Sequence, residues 1–137
     1  MSAIDLFAAF ATDDSAEQKG TPTQLPGAGD TLFYVARDSN KAYIKLLQQR
    51  VKQNRAVLDS KGDAAEAMSE KIITEVMAKT ILLGWNGTVN YKGKPLEYSL
   101  ENATTLLSHK EFRAVVNKVA TDMEIFKIVK DDEDVKN

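Results

Sequence analysis

The segment from Ile81 to Leu107 constrains the fold of this chain more than any other part of its sequence. An apolar helical run stops at Gly84, and the only tryptophan, Trp85, follows at once. Turn-forming residues come next, beginning with Asn86-Gly87. Ser99 then predicts the start of a new helix, because a serine side chain caps the free N–H groups of a first turn. The segment therefore predicts a connector that fixes where the helices on either side of it lie.

Size and composition set the class of protein. The 137 residues fit one domain, and 43% apolar with 28% charged residues is an ordinary globular composition. A net charge of −2 gives no overall attraction to nucleic acid or to an anionic membrane. No cysteine is present, which excludes disulfides and thiolate metal sites. The apolar runs are too short to span a bilayer, and Asp5 stands where a signal peptide would be basic. We therefore expect a cytoplasmic protein with no membrane association.

The first 37 residues predict an arm and a small β-structure. Residues 1–16 form the arm, which contains a short amphipathic helix with its apolar side chains at near-helical spacing: Ile4, Leu6, Phe7 and Phe10. Residues 12–30 are polar and rich in glycine and proline, which predicts a loop. Thr31–Ala36 is the best strand candidate, because it is rich in β-branched and aromatic residues. A hairpin that pairs residues 17–25 with 31–37 is the expected arrangement.

Residues 38–130 predict a helical core. Asp38 and Ser39 are good cap residues for a helix over 40–58, and a second helix over 64–83 follows a short loop. The two helices predict a central antiparallel hairpin. A small β-hairpin around Lys92–Lys94, a helix over 99–107 and a last helix over 109–129 complete the core. Residues 131–137 predict a frayed acidic tail. The predicted fold class is mainly α: one small helical domain over residues 1–137, with a central helical hairpin and one or two short β-hairpins.

Residues suited to catalysis are few. The one histidine, His109, is placed in the first turn of a helix, where a surface role is the expected one. No nucleophile motif, phosphate-binding loop or zinc-binding pattern is present. The acidic run 131–134 lacks the glycine and the later glutamate of a calcium loop, so a solvated tail is the better interpretation. We expect no enzyme activity, no cofactor and no metal.

A basic helix is one candidate for binding. Between residues 39 and 58 there are five basic residues and no acidic one. Four of them are predicted to share one face, opposite the apolar Ile44/Leu47/Val51 face: Lys41, Lys45, Lys52 and Arg55. Such a stripe can neutralise phosphates of a nucleic acid. It can also be the solvated side of an amphipathic helix, or face an acidic surface of a protein partner. The acidic pI of about 5.4 makes nucleic acid the less favoured of these.

The last helix is the second candidate. Its apolar residues step by 4, 3, 4 and 3, which suits packing against another helix: Phe112, Val116, Val119, Met123 and Phe126. Packing within the same domain is the usual role of such a seam. Val115, Ile125, Ile128 and Val129 nevertheless add apolar area outside it. That surplus indicates either self-association as a homo-oligomer or a surface for another protein's helix.

Several of these segments, in their order and spacing, resemble a known family. They are Arg37–Asn40, Tyr43 at the start of a basic helix, EVMAKTILLGW over 75–85, Asn86-Gly87, Tyr98–Ala103 and Leu106-Leu107. This layout resembles the tail assembly chaperones of long-tailed bacteriophages, and the likeness covers residues 17–126. The resemblance implies a largely helical protein without catalytic activity that binds the tape measure protein and helps to recruit tail tube subunits.

The same resemblance implies how such a protein is made and where it acts. It would be a late protein of the host cytoplasm, absent from the mature virion, and many members are also made in a longer form by ribosomal frameshifting. Residues 135–137 can be encoded by codons that contain a slippery heptamer, so a frameshift near the end of the gene is one hypothesis. The alternatives are a small nucleic-acid-associated protein that uses the basic helix 40–58 and a structural minor tail subunit.

Overall fold

A computed structural model describes residues 3–87 and 89–128. The helices are α1 Leu6–Phe10, α2 Asp14–Lys19, α3 Lys41–Gln53, α4 Arg55–Asp59, α5 Gly62–Thr80, α6 Leu100–Leu107 and α7 Lys110–Ala120, and a 3-10 turn follows at Met123–Phe126. The strands are β1 Thr21–Gln24, β2 Leu32–Val35, β3 Leu82–Trp85, β4 Val89–Tyr91 and β5 Lys94–Leu96. The acidic tail 131–137 and the proposed frameshift site lie outside the described residues.

The prediction of a mainly α fold is wrong. Of the described residues, 57% are helical and 16% are in strands, and the strands form two small sheets, which makes the fold mixed α and β. The first sheet is antiparallel with the order β1-β2-β3, and the second is the hairpin β4-β5. The sequence missed β3: it assigned residues 82–83 to the end of the second long helix and Gly84 and Trp85 to the connector that follows.

The misassignment of β3 has a physical reason. A short apolar run such as Leu82-Leu83 is compatible with a buried helix or a buried strand, and periodicity cannot separate them. Pairing with β2 decides the outcome, since Phe33 aligns with Trp85 and Tyr34 with Gly84. A Cβ atom at Gly84 would lie 3.6 Å from the Tyr34 ring, an ordinary van der Waals contact, so the pairing itself does not require glycine at this position. Tertiary contacts, which the local sequence does not encode, therefore end α5 at Thr80.

Two predicted helices are shorter than expected. The helix over 40–58 breaks at Asn54, whose side-chain amide donates to the Arg50 carbonyl at 2.8 Å. The helix over 109–129 ends at Ala120, and the Asp122 carboxylate then accepts from the Glu124 N–H at 3.0 Å. In both cases a short polar side chain bonds to nearby backbone and competes with continuation of the helix.

Helix α5 lies at the centre of the domain. It packs against α3 and α4 on one side, against α6 on another, and continues directly into β3. The core around it takes side chains from β2, β3, α6, α7 and the 3-10 turn. The largest fully buried side chains are Phe33, Phe126, Met77, Ile81, Leu82, Leu107, Val35, Val76 and Val116.

A buried asparagine joins the start of α3 to the end of α5. Asn40 is 6% exposed and is the N-cap of α3, in place of the Asp38 or Ser39 that the sequence predicted. Its side-chain oxygen accepts from the Tyr43 N–H at 2.9 Å, and its amide donates to the Thr80 carbonyl at 3.3 Å. One side chain thus satisfies a helix start and a helix end that would otherwise carry unpaired polar groups.

Trp85 connects the two sheets. Its indole N–H donates to the Leu96 carbonyl in β5 at 3.2 Å. Its ring packs edge-on against Tyr98, with centroids 5.2 Å apart, and lies 5.7 Å from the ring of Phe33. The side chain is 7% exposed, so it acts as a core anchor whose polar atom has a partner.

We predict that Trp85→Phe destabilises the domain by about 1–3 kcal/mol, because the Leu96 carbonyl loses its donor and the smaller ring leaves a gap. The free energy of unfolding is measured in urea by far-UV circular dichroism. Tyr98→Phe is the matched control, and its effect should stay within about 0.5 kcal/mol, since Tyr98 is partly exposed and keeps its ring. Equal stability of both variants would contradict the anchoring role of the indole.

Candidate protein-binding surface

The predicted C-terminal seam lies mostly inside the domain. Val116 and Phe126 have no exposed surface, and Val119 is 8% exposed. Phe112 and Met123 are half-buried. Phe112 packs edge-on against Phe33, with centroids 5.9 Å apart. In this structure the seam therefore packs α7 and the 3-10 turn onto the core of the same domain, and only Phe112 and Met123 are partly exposed to a partner.

The basic stripe lies on the surface. All four of its members are exposed: Lys41, Lys45, Lys52 and Arg55. Within residues 3–87 and 89–128, all ion pairs are formed by other side chains, so none of the four belongs to one. The stripe is thus a row of solvated cations along α3 and α4 that is available to an acidic partner.

The fifth basic residue of this segment has a different role. Arg50 points toward α5 and binds the Glu75 carboxylate through two nitrogens, each 3.0 Å from a carboxylate oxygen. Lys79 adds a third contact to Glu75 at 3.0 Å. The hydrogen bond from Arg50, followed by that from Lys79, lowers the pKa of Glu75 from 4.5 to about 2. This cluster fixes α3 against α5 and holds in place the helix that carries the stripe.

An apolar groove lies beside the stripe. It has a volume of about 700 Å³ and is lined by Leu47, Gln48, Val51, Lys52 and Arg55. The sequence placed the basic residues opposite the apolar face, but Lys52 and Arg55 border the same groove as Leu47 and Val51. We call this feature the α3–α4 groove. Its apolar floor and cationic rim suit an amphipathic segment that carries acidic residues.

The helices that form the α3–α4 groove are only partly covered by the rest of the domain. Neither α3 nor α4 contains a fully buried residue. On the side facing α5, a second gap of about 140 Å³ is lined by Leu47, Val51, Leu58, Ser69, Ile72 and Ile73. Leu47 and Val51 therefore border space on both sides, and a side chain from another molecule can add contacts there without displacing a packed neighbour.

A second apolar surface lies on α1. The sequence predicted an amphipathic helix in this arm, and the structure exposes its large apolar side chains: Ile4 76%, Leu6 66%, Phe7 72% and Phe10 61%. The helix starts at a sound cap, since the Asp5 carboxylate accepts from the Phe7 N–H at 3.0 Å. Hydrophobic periodicity predicted the helix but could not tell which surface, if any, covers it.

The remaining polar clusters are explained by packing. Arg113, 9% exposed, pairs with Glu70 and donates to the Leu107 carbonyl at 3.0 Å. His109 lies 2.5 Å from the Tyr91 hydroxyl at the surface. In the described part of the chain no three His, Cys, Asp or Glu side chains gather as metal ligands. No helix there is both long and apolar enough to cross a membrane.

Residues 38–137 match the family model described as YdaY prophage protein. The chain belongs to the YdaY prophage protein family. It is therefore a phage-derived protein, and the resemblance to phage tail assembly chaperones had implied this origin. The matched region contains every element from α3 onward, including the whole α3–α4 groove, whereas α1, α2, β1 and β2 precede it. No curated protein and no solved structure gives a significant match to the chain.

We predict that Glu75→Gln lowers stability at neutral pH by about 1 kcal/mol or less, because the pair is partly exposed to solvent. The depressed pKa means that Glu75 stabilises the fold fully above pH 4.5 and loses this contribution as the pH falls toward 2. The variant should therefore lose less stability than the wild type over that interval. Urea unfolding followed by Trp85 fluorescence measures both effects.

Glu66→Gln is the matched control for this change, since Glu66 is an exposed residue of the same helix. It removes an equal charge without touching Arg50. If the two variants show the same dependence of unfolding free energy on pH, the contact of Arg50 with Glu75 does not stabilise the attachment of α3 to α5.

Proposed function

We propose that this YdaY-family protein is a phage tail assembly chaperone that binds the tape measure protein and helps to recruit tail tube subunits. It would act in the host cytoplasm by protein–protein contact, without catalysis, and would not remain in the mature virion. Two facts support the proposal: the chain belongs to a prophage protein family, and the spacing of its motifs over residues 17–126 resembles that of tail assembly chaperones.

The α3–α4 groove is the surface that we propose for the client. A tape measure protein is a very long chain whose helices carry apolar stripes, and such stripes aggregate unless another protein covers them. The groove offers Leu47 and Val51 to an apolar stripe, while Lys52 and Arg55 at its rim attract acidic residues beside it. Binding of an amphipathic helix in a groove is a common mode of recognition.

The C-terminal seam is the less favoured surface for a client. Three of its five residues are buried, so a client could reach them only if α7 and the 3-10 turn moved away from the elements that cover them, which for α7 include α6 and β2. Substitution of Val119 by a charged residue would also unfold the domain rather than test binding. The seam stays a prediction, and the groove is the surface that an experiment can address without damage to the core.

We predict that Lys52→Glu with Arg55→Glu weakens capture of the tape measure protein at least about tenfold, because both cations at the groove rim become repulsive. The chain is co-expressed with the tape measure protein of the same prophage, and the soluble, co-purifying fraction is measured. Lys94→Glu with Lys118→Glu is the matched control, since both lysines are exposed, lie away from the groove and change the charge equally.

Different outcomes would reject different parts of the proposal. If the wild-type chain neither keeps the tape measure protein soluble nor co-purifies with it, the chaperone function is wrong. If the groove variant and the control variant capture it equally, the function stands and the groove is not the surface. Detection of the chain in purified virions by mass spectrometry would favour a structural tail subunit.

A nucleic-acid-associated function is the second candidate, because the four cations of the stripe are solvated and aligned. Its test is a salt titration of duplex DNA binding with the same two variants. Under the chaperone proposal we expect only weak, non-specific binding, with a Kd of about 10⁻⁴–10⁻⁶ M at physiological salt. Much tighter binding with a steep salt dependence, lost in the Lys52→Glu/Arg55→Glu variant, would favour the nucleic-acid function.

A further inference from the structure

Within residues 3–87 and 89–128, two surfaces of complementary chemistry are left uncovered. One is the exposed apolar helix α1, and the other is the α3–α4 groove. We propose that α1 of one copy docks into the α3–α4 groove of a second copy, so that the protein associates with itself through this contact. The pairing requires only this chain, and it is independent of any client.

The first step concerns how α1 is held. The residues that follow α1 are anchored to the end of the described chain by backbone hydrogen bonds. The Asp13 N–H donates to the Phe126 carbonyl at 2.7 Å, and the Ile128 N–H donates to the Ala11 carbonyl at 3.3 Å. Thr12 and Lys127 form a β-bridge between these two bonds. The base of α1 is thus fixed to the domain while its apolar side chains point into solvent, as in an element that is presented to a partner.

The second step concerns charge. Between Ala3 and Gln18 the chain contains four acidic residues and no lysine or arginine: Asp5, Asp13, Asp14 and Glu17. Glu17 already pairs with Arg37 at 2.6 Å, which leaves the other three to set the charge beside α1. The groove has the opposite charge, with Lys52 and Arg55 at its rim and Lys41 and Lys45 along the same helix. Helix α1 itself is uncharged, but acidic residues precede and follow it, so an apolar helix flanked by carboxylates meets a basic apolar groove.

The third step concerns size. A buried phenylalanine removes about 150–250 Å² from water, so Phe7 and Phe10 together supply roughly 300–500 Å². A standard interface buries about 800 Å² on each partner, and the remainder can come from Ile4, Leu6 and the charged rim. On the other side of the contact, the groove offers the apolar surfaces of Leu47 and Val51 and the aliphatic stems of Lys52 and Arg55. The area predicts reversible association rather than a permanent oligomer.

One consequence rests on the proposed function. If the α3–α4 groove also binds the client, then α1 of a neighbouring copy and the client compete for it. Copies without a client would cover one another's apolar grooves, and a client segment that binds more tightly would displace α1 by mass action. Self-association would then keep a reserve of the chaperone in which the apolar grooves are covered until a client binds.

The experiment uses two variants that each lose one half of the contact. Phe7→Asp with Phe10→Asp removes the apolar helix and keeps the groove, whereas Lys52→Glu with Arg55→Glu damages the groove and keeps the helix. All four residues are exposed, so both variants should fold, which Trp85 fluorescence checks. Sedimentation velocity over a wide concentration range gives the mass of each chain alone and of their mixture.

We expect the mass of the wild type to rise with concentration. Each variant should stay monomeric up to a concentration at least about tenfold higher than that at which the wild type associates. The equimolar mixture should form a heterodimer, because the intact helix of one variant fits the intact groove of the other. Added salt should weaken both associations, since the rim charges are screened. The Lys94→Glu/Lys118→Glu variant should associate like the wild type.

Three results would overturn the pairing. A wild-type chain that is monomeric at every concentration would do so, and any molecule that binds the groove would then be a different one. Association that survives both variants would place the contact elsewhere. Loss of association in both variants without a heterodimer in the mixture would show that α1 and the groove do not bind each other. None of these results depends on the tape measure protein, so failure here leaves the chaperone proposal intact.

Discussion

The transition from helix α5 to strand β3 is the constraint on which the rest of this fold depends. Ile81 ends the central helix, is 1% exposed, and accepts from the Ala36 N–H at 2.8 Å, which joins the helix end to the end of β2. Asn40 binds the Thr80 carbonyl one residue earlier. Because the chain turns here rather than continuing as a helix, Leu82–Trp85 becomes the third strand and carries Trp85 to the second hairpin. A few neighbouring residues therefore hold the helices and both sheets in their positions relative to one another.

Local signals in the sequence were sufficient for several elements and insufficient for others. Ser99 and the apolar pattern after it predicted α6, and the turn residues at 92–93 predicted the β4-β5 hairpin. Strand β3 was missed, because its assignment depends on pairing with β2, which is about fifty residues away in sequence. The breaks at Asn54 and before Asp122 depend on side-chain bonds to the backbone that compete closely with the helix, so periodicity alone could not place them.

The candidate binding surfaces, like the secondary structure, could be predicted from the sequence only in part. The sequence placed a surplus of apolar surface on the last helix. That helix packs well, whereas α1 and the α3–α4 groove remain exposed. A spacing of 4, 3, 4 and 3 reports that a helix has an apolar face and carries no information about which neighbour covers it. The prediction that Lys52 and Arg55 lie opposite Leu47 and Val51 was wrong, since Arg55 follows Val51 by four residues, about one helical turn, and Lys52 is next to Val51 in sequence.

The proline in β1 has a consequence for how copies of this protein can meet. β1 is an outer strand, paired only with β2, and Pro22 lies within it. Proline has no N–H, so the open side of this strand lacks a donor at that residue, and a strand from another molecule cannot extend the sheet smoothly. Crowded copies are thus discouraged from pairing through the β1 edge, and contacts between them at this edge are left to side chains, which release more readily than a continuous backbone ladder.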